Sequence, residues 1–573
     1  MAMFRRLKWI FRVLMLASLV VSAWYWLSGP DIRPGSYLVL DLTGSLEEGR
    51  ANGLLSRLLN RGRTLVDVTD ALLKVRHDGR VAGVIARLGP LGGGWAQTQE
   101  LRSALSAVKA EGKKVVALLE VELESSSKEI YLASVADKVY VAPAAAPVFN
   151  GLAARFIFLG GVWPKIDVNM QVEKIREYKS AGDEIARESM SDAHREMAEW
   201  LLTDTQNNLL QTIAAARNLT VAEVQAIADR SPSSAHDLVK AGLADGVKSR
   251  GEILAELGKN GEPVATVSED DYADVRLGSL GIGDGPKIAI VHAAGTIQRG
   301  DPERGRSVIA SHRISEALQE AAADSSISAI VLRVASPGGS PAGSDEIWLE
   351  VREAAKKKPV IASLGDVAAS GGYYIASAAD RIVASPGTLT GSIGVVLFKP
   401  DISALLARMG VHTEALARGR FARLMDLDKS LDETDLTLVR KQMDDLYTLF
   451  LDRVATGRKM KREEVDLIGG GRVWTGQQAS HNGLVDELGG LCDAVRVAAA
   501  AAGIHDSDKV RLVHYPETGL LSRDFLRTGA AAALSELQPP LVRMVSETLE
   551  PIEGLLWLEP GVQALAPQLP SID

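Results

Sequence analysis

AIVLRVASPGGS (residues 329–340) is an apolar, β-branched run that ends in a glycine turn. GVIARLGPLGGG (residues 83–94) has the same pattern in the first half of the chain. Similar pairs precede and follow these two stretches, so the 573-residue sequence repeats once with a period of about 245 residues. This period is far above the roughly 20–50 residues of solenoid repeats. The sequence therefore predicts two related domains.

Each half alternates short apolar strands with helical stretches such as ELRSALSAVKAEG in the first half and DEIWLEVREAAKKK in the second. This alternation predicts an α/β fold in which helices cover a mostly parallel sheet with right-handed crossovers. A segment rich in Gly, Asp and Pro separates the halves. The predicted parts are an N-terminal domain (36–268), a linker (269–286), a C-terminal domain (287–525) and a C-terminal tail (526–573).

The first 30 residues are predicted to direct the chain to a membrane. A basic flank (residues 1–8) precedes an apolar segment (residues 9–28) that carries Trp9 at one end and Trp24 at the other. The uncharged run within it, 15 residues long, fits either a cleavable signal or an anchor that Arg12 lengthens by snorkelling. We expect a retained transmembrane anchor with its positive flank in the cytoplasm, which places the rest of the chain outside it.

Composition excludes several classes of partner. The net charge is −9 and no basic cluster follows the N-terminal flank, so nucleic acid is not an expected partner. The single cysteine, the dispersed histidines and the absence of HExxH and P-loop motifs give no reason to expect a metal or another cofactor.

GDVAASGGYYIASAAD (residues 365–380) places Ser370 between small residues, before two glycines and a helical stretch. This pattern is typical of a nucleophile turn, in which the amide of Gly371 stabilises an oxyanion. Gly338 and Gly339 of SPGGS follow a neighbouring predicted strand and could supply the other oxyanion donor. The alternatives are that Ser370 is a helix N-cap and that SPGGS is a helix-packing turn.

A serine nucleophile needs a base, and no histidine lies near Ser370 in the sequence. The two-half layout and the motifs SPGGS, AASGGYYIAS, TGSIGV, VWTGQQA and NGLVDELGG together resemble the long form of the signal peptide peptidase A family, from residue 37 to about residue 490. The resemblance implies a ClpP/crotonase-like fold and a Ser/Lys dyad. It puts the nucleophile on Ser370, the base on Lys179 in YKSA, and a serine that holds the lysine amine on Ser392.

The resemblance also implies a function and a location. We expect a membrane-bound serine endopeptidase that cleaves signal-peptide remnants and misfolded exported proteins without a cofactor. Its bulk would lie in the periplasm, anchored in the lipid of the bacterial inner membrane, as a homotetramer. The alternatives are a crotonase-type acyl-CoA enzyme and a catalytically inactive membrane scaffold with a ClpP-type fold.

A lysine base must be uncharged to accept a proton, whereas a solvated lysine with a pKa of about 10.4 is almost fully protonated at pH 7. We therefore expect Lys179 to be buried between the domains, with Ser392 as a neutral partner. The duplication places Ser127 opposite Ser370, but Lys128 and Glu129 follow it in place of glycines. We expect the first half to lack a second active serine.

Overall fold

The structure is a computed structural model that describes residues 30, 32–48, 63–122, 124–300, 308–516 and 561–565. The predicted basic flank, the predicted anchor and most of the predicted C-terminal tail lie outside these described residues. In the part of the chain that is described, no helix combines the length and the apolar composition needed to cross a membrane.

The first half alternates strands and helices, as predicted. Its elements are β1 (Ser36–Gly44), α1 (Leu65–His77), β2 (Val81–Leu91), α2 (Trp95–Ala110), β3 (Lys114–Leu119), α3 (Ser127–Ala133), β4 (Lys138–Val141), β5 (Asn169–Lys174), α4 (Ala181–Ala186), α5 (Asp192–Arg217), α6 (Val221–Arg230), α7 (Ala235–Lys240), β6 (Gly246–Val247), α8 (Arg250–Leu257), β7 (Thr266–Ser268) and α9 (Glu269–Ala273).

The second half continues the alternation. Its elements are β8 (Lys287–Ala294), β9 (Thr296–Gln298), β10 (Val308–Ala310), α10 (Ser311–Ala323), β11 (Ile327–Ser336), β12 (Gly338–Gly339), α11 (Pro341–Ala355), β13 (Val360–Ala369), α12 (Gly371–Ala376), β14 (Arg381–Ala384), β15 (Leu389–Gly391), β16 (Val396–Asp401), α13 (Ser403–Arg408), α14 (Glu433–Arg458), α15 (Arg462–Ile468), β17 (Val473–Thr475), α16 (Gly476–His481), β18 (Glu487–Leu488), α17 (Leu491–Ala501), β19 (Arg511–Tyr515) and β20 (Gly561–Leu565).

The two halves build sheets with the same strand order. The first sheet runs β6-β4-β3-β2-β1-β7, and every neighbouring pair in it is parallel. The second sheet contains the corresponding order β18-β14-β13-β11-β8-β19, also parallel, and β15 and β17 extend it beyond β13. This correspondence confirms the predicted α/β class and the predicted duplication.

Strand β11 shows why these sheets form. Ile330, Leu332 and Val334 pack into one apolar cluster, whereas Ala329 and Val331 pack into another on the opposite face of the strand. A strand that is covered on both faces needs a nearly continuous apolar sequence, and AIVLRV has one. Helix layers therefore cover both faces of the second sheet.

A third sheet joins the two halves, with the strand order β10-β9-β12-β20-β16-β5. Strand β5 belongs to the first half and pairs antiparallel with β16 of the second half, so that Lys174 lies opposite Val396. The short strand β20, near the end of the chain, lies between β12 and β16.

Buried polar contacts also connect the halves close to the end of β13. Asp366 on β13 accepts hydrogen bonds from the backbone amides of Gly94 and Gln97, both at 2.8 Å, at the N-terminus of α2. Arg333 on β11 is buried and lies 2.8 Å from a carboxylate oxygen of Glu100 on α2. These contacts hold the first half against the neighbouring strands β11 and β13, and β13 leads to Ser370.

The segment predicted to be a linker has regular structure. Residues 269–273 form α9, and Leu277–Leu280 form a 3₁₀ helix. Tyr272 is fully buried in the core of the first half, and its hydroxyl donates to Asp78 at 3.3 Å. The burial of this aromatic side chain packs the segment against the first half. Strand β8 begins at residue 287, where the C-terminal domain was predicted to begin.

Candidate active site

Ser370 lies at the turn between β13 and α12. Its backbone amide donates to the carbonyl of Gly391 at 2.7 Å, and its own carbonyl accepts from the amide of Tyr374 at 2.8 Å. Its φ and ψ angles are 53° and −117°, a region that side chains other than glycine rarely occupy. Strained backbone of this kind is common where a side chain must project sharply from a strand–helix turn.

Lys179 comes from the first half, just beyond the point where β5 ends. The amide of Ile175 donates to the carbonyl of Val395 at 3.1 Å, which extends the pairing between β5 and β16 towards the site. The chain then turns into α4, which begins at Ala181. Pairing across the two halves therefore brings a lysine to a serine 191 residues further along the chain.

Three oxygen atoms surround the amine of Lys179. Its Nζ lies 2.7 Å from Oγ of Ser370, 2.8 Å from the carbonyl oxygen of Ser392 and 3.0 Å from Oγ of Ser392. All three residues are completely buried. The structure thus brings Ser370, Lys179 and Ser392 together, and the adjacent strands β13 and β15 lead into the two serines.

Burial lowers the pKa of Lys179 well below its usual value of 10.5. Desolvation has this effect because removing water disfavours the charged form of the amine. The nearby carboxylate of Asp183 instead forms an ion pair with Lys174 at 2.7 Å. The environment of Lys179 therefore favours the neutral amine that a base requires.

The glycine turn of β12 lies against the start of α12. A Cβ atom placed on Gly371 would lie 3.1 Å from Cα of Gly338 and 3.2 Å from the amide nitrogen of Gly339. The amide of Gly338 donates to Oγ of Ser336 at 3.1 Å. The predicted oxyanion glycines therefore converge beside Ser370, but the Gly338 amide is engaged within its own turn.

The sequence reasoning missed a contact between Gly471 and Lys179. Gly471 has a φ of +85°, and a Cβ on it would lie 2.5 Å from the amide nitrogen of Lys179 and 2.6 Å from its Cα. The backbone of the lysine occupies the space that a side chain would need. The three glycines before Arg472 were the available signal, because glycine often marks a close approach of two backbones.

Arg472 was also missed, although it contacts Ser392 and the residue that precedes Lys179. Its carbonyl accepts from the amide of Ser392 at 2.7 Å. Its guanidinium lies 4.6 Å from the ring centre of Tyr178, the residue before Lys179, and 4.5 Å and 4.8 Å from those of Trp200 and Trp474. Cation–π contacts of this kind hold the lysine segment and the Ser392 turn in one arrangement.

The corresponding turn of the first half has a different structure. The hydroxyl of Ser127 donates to the carbonyl of Gly151 at 2.7 Å. The amine of Lys128 donates to the carbonyls of Leu91 and Gly93, at 3.2 and 3.0 Å. The side chain of Lys128 thus binds the carbonyls of the glycine turn that corresponds to SPGGS.

Comparison with known proteins identifies the family. A sequence model described as Peptidase family S49 matches residues 107–262 and 352–505, which together make up more than half of the chain. The chain belongs to peptidase family S49. The two matched S49 segments fall one in each half, in agreement with the duplicated sheets. Membership makes this chain a serine peptidase and argues against the crotonase-type alternative.

Individual relatives of this S49 peptidase agree with the family match. The chain is 32% identical over 542 residues to "Serine protease SPPA, chloroplastic" of Arabidopsis thaliana, and the match covers 93% of this chain and 78% of the relative. It is 31% identical over 453 residues to "Protease 4" of Salmonella typhi, and this match covers 77% of this chain and 72% of that relative. The predicted resemblance to the signal peptide peptidase A family is thereby confirmed.

A solved structure also aligns with the S49 peptidase. The alignment with a point mutant of ClpP1 from Listeria monocytogenes covers 36% of this chain and 93% of the ClpP1 chain, at 16% identity and a TM-score of 0.24. A TM-score at this level does not assign a fold, so the finer ClpP/crotonase-like description stays a prediction.

Proposed function

We propose that this S49 peptidase hydrolyses peptide bonds by acyl transfer, with Ser370 as nucleophile and Lys179 as general base. The observation that carries the proposal is the buried amine of Lys179, which lies 2.7 Å from Oγ of Ser370. A neutral amine has two N–H bonds and one lone pair. The two oxygens of Ser392 are placed to accept the N–H bonds, which directs the lone pair towards Ser370.

The reaction begins when Lys179 takes the hydroxyl proton of Ser370 and the serine oxygen attacks the carbonyl carbon of the peptide. The ammonium then gives this proton to the leaving amine, and an ester joins the acyl group to Ser370. Water attacks the ester and loses a proton to Lys179, which returns it to Ser370. Ser392 positions the amine through both half-reactions.

We assign the oxyanion contacts to the amides of Gly339 and Gly371. Gly371 directly follows the nucleophile, and Gly339 lies beside it. The Gly338 amide, an equal candidate in the sequence, already donates to Ser336. Two convergent amides in a buried site stabilise the negative charge of a tetrahedral intermediate more strongly than water does.

The substrates that we propose are signal-peptide remnants and misfolded exported proteins, bound in an extended conformation. The resemblance to the signal peptide peptidase A family supports this choice. Glycines 338–339 and strand β16 provide the backbone groups that an extended peptide pairs with, as β20 does. We further propose a ClpP/crotonase-like fold for both halves and assembly as a homotetramer, on the same resemblance.

The proposed mechanism is tested with a fluorogenic apolar peptide and the detergent-solubilised full-length protein. Ser370→Ala and Lys179→Ala are each expected to lower kcat by at least about 10³-fold, because members of a catalytic unit act together. Ser127→Ala is the matched control, since it removes the corresponding serine of the first half, and it should keep full activity. Full activity of Ser370→Ala would overturn the mechanism, and an inactive wild type would favour the inactive scaffold.

We also propose that residues 9–28 anchor the chain in the bacterial inner membrane, with the bulk in the periplasm. The apolar run and its basic flank support this location. External protease added to intact spheroplasts should degrade the chain without lysis, whereas a cytoplasmic control protein remains whole. Complete protection of the chain would contradict the proposed orientation.

A further inference from the structure

The equivalent helices α2 and α11 are capped in different ways. The residue before α11 is Ser340, whose Oγ accepts from the amide of Gly343 at 3.2 Å, as is usual for an N-cap serine. The residue before α2 is Gly94, which has no side chain for this purpose. The amide of Gln97, at the same helical position as Gly343, donates instead to Oδ1 of Asp366 at 2.8 Å. The second half thus supplies the N-cap of a helix in the first half.

The two ways of capping exclude each other at the start of α2. A Cβ placed on Gly94 would lie 2.5 Å from Cγ of Asp366, and 2.6 Å and 2.9 Å from its two carboxylate oxygens. Oδ2 of Asp366 also accepts from the amide of Gly94 at 2.8 Å, so both oxygens of the carboxylate are used. A serine in place of Gly94 could therefore cap α2 only if the carboxylate were removed.

Asp366 lies at a β-bulge in β13. Leu364 of β13 lies opposite Val334 of β11. Ala368, four residues further along β13, lies opposite Ser336, which is only two residues further along β11. Two residues of β13 are therefore in excess, and across the same interval the strand exchanges its neighbour β14 for β15. Because a bulge re-aims the residues that follow it, an anchor at this point sets the direction in which β13 reaches its turn.

Buried charges surround the bulge. Arg333 on β11 lies 2.8 Å from carboxylate oxygens of both Glu48 and Glu100. Burial raises the pKa of the Asp366 carboxyl and the charge of Glu48 adds to this rise, whereas the two amides of α2 and Arg333 lower it. Apart from Arg333, the groups that surround the Asp366 carboxylate in this way belong to the half that carries Lys179.

We infer that Asp366 is a positioning residue for Ser370. By capping α2 across the two halves, its carboxylate fixes the bulge of β13 against the half that carries Lys179, and thereby fixes the serine oxygen at the lysine amine. Three residues separate Asp366 from Ser370, so it acts through the strand. This inference rests on the proposed function, because it takes Ser370 and Lys179 as the reacting pair.

Asp366→Ala removes the cap and the anchor together. We expect kcat on the fluorogenic peptide to fall about 10- to 100-fold with little change in KM, because a displacement of about 1 Å in a catalytic group can cost on the order of 10²-fold in rate. Loss of the cap should also lower the thermal midpoint by about 2 to 4 °C. Unchanged kcat would overturn the inference.

Thr220→Ala is the matched control for the loss of an N-cap. Thr220 precedes α6 in the first half, and its hydroxyl accepts from the amide of Glu223 at 3.2 Å. This variant should lower the thermal midpoint by a similar amount and keep the kcat of the wild type.

A second change separates positioning from stability. Gly94→Ser in the Asp366→Ala background places a hydroxyl before α2, as Ser340 does before α11, in the space that the carboxylate has left. We expect the thermal midpoint to recover and kcat to stay low, because α2 is capped again while β13 remains without its anchor. Recovery of kcat together with the midpoint would show that Asp366 acts only through the stability of α2, and would overturn the inference.

Hydrogen exchange followed by mass spectrometry gives a readout that needs no catalysis. In the wild type, the amide of Ser370 is held by the carbonyl of Gly391 at 2.7 Å. In both proteins that carry Asp366→Ala, the amides of residues 367–370 should exchange at least about tenfold faster than in the wild type. Unchanged exchange there would overturn the inference, whether or not the midpoint recovers. A failure of the proposed mechanism would appear separately, as full activity of Ser370→Ala.

Discussion

The Ser370 turn of the second half and the Ser127 turn of the first half occupy equivalent places in two sheets of the same strand order. Ser370 precedes its helix and has a φ of 53°, whereas Ser127 is the first residue of α3. Two glycines follow Ser370, and the Lys128–Glu129 pair follows Ser127. The helix therefore starts after the serine in the second half and includes the serine in the first.

The charged pair also changes what surrounds the turn. In the first half, the amine of Lys128 donates to the carbonyl of Gly93, and a carboxylate oxygen of Glu129 accepts from the amide of Leu91 at 2.7 Å. Side chains of the first half thus satisfy backbone groups of its own glycine turn. In the second half, Gly371 and Gly372 carry no side chain that could reach the corresponding turn. The comparison shows that equivalent strand–turn–helix segments differ in whether their own side chains fill the neighbouring glycine turn.

The largest effect is expected from Lys179→Met, which removes the base and nearly preserves side-chain volume. We expect kcat on the fluorogenic peptide to fall at least about 10³-fold. If another amine, such as that of Lys128, could substitute for it, activity would remain. The two turns would then not differ in their capacity for catalysis. Steady-state kinetics across pH decide between these outcomes.

The same variant tests the lowered pKa of Lys179. The unfolded chain holds a proton that the folded chain releases, so wild-type stability rises with pH from the lowered pKa up to about 10.5. The slope contributed by one proton is at most about 1.4 kcal/mol per pH unit. Lys179→Met lacks this contribution. The free energy of unfolding of the wild type, relative to that of the variant, should therefore increase as pH rises. Parallel pH dependences in urea titrations would contradict the burial of a neutral amine.

The next largest effect is expected from Gly471→Ala. The new Cβ would overlap the backbone of Lys179, and a displacement of about 1 Å in a catalytic group can cost on the order of 10²-fold in rate. We expect kcat to fall about 10- to 100-fold while KM changes little. Gly503→Ala is the matched control, because Gly503 has a φ of +74° with no atom within 4 Å of its Cβ position. It should lose about 1 kcal/mol of stability and keep its kcat.

A smaller effect is expected from Ser392→Ala, which removes one of the two oxygens that orient the amine. We expect kcat to fall about tenfold. The lost oxygen interacts more strongly with the ammonium than with the neutral amine, so the pKa of Lys179 should fall further and the midpoint of the pH–rate profile should move down. A midpoint that moves up would show that Ser392 favours the neutral form.

The smallest effect is expected from Lys128→Met in the first half. This change removes hydrogen bonds to the carbonyls of Leu91 and Gly93 and should cost about 1 kcal/mol in the free energy of unfolding. Activity should be unchanged, since the residue supports a turn without chemistry. Loss of activity at unchanged stability would assign the first turn a part in catalysis.

The sequence predicted what depends on local pattern. Ser370, its following glycines and the SPGGS turn lie in short motifs, and the repeat predicted two equivalent sheets. Lys179 came only from the family resemblance, because no local pattern marks a base that reaches its serine through pairing of β5 with β16. Gly471 and Arg472 were missed for the same reason, since their contacts to Lys179 and Tyr178 cross between the halves.

The end of the chain was the least predictable part. Residues 526–573 fit neither repeat and were assigned to a tail. Within it, Ala564 and Leu565 pair with the glycine turn beside Ser370, and residues 561–563 pair with β16. A five-residue strand with no periodic partner in the sequence gives no indication of where it will pair. The helix within the predicted linker was not foreseen for a related reason, because it packs through Tyr272 beside Asp78, which lies 194 positions earlier in the chain.

The division of the proposed dyad between the halves has a consequence for biosynthesis. A ribosome makes Lys179 first, and every nascent chain that ends before residue 370 holds the proposed base without the proposed nucleophile. Even after Ser370 has been made, the amine reaches it only when β5 has paired with β16, which requires both halves to be folded against each other. On the proposed mechanism, a chain built in this way gains activity only after β16 of the second half has been made and has paired with β5 of the first.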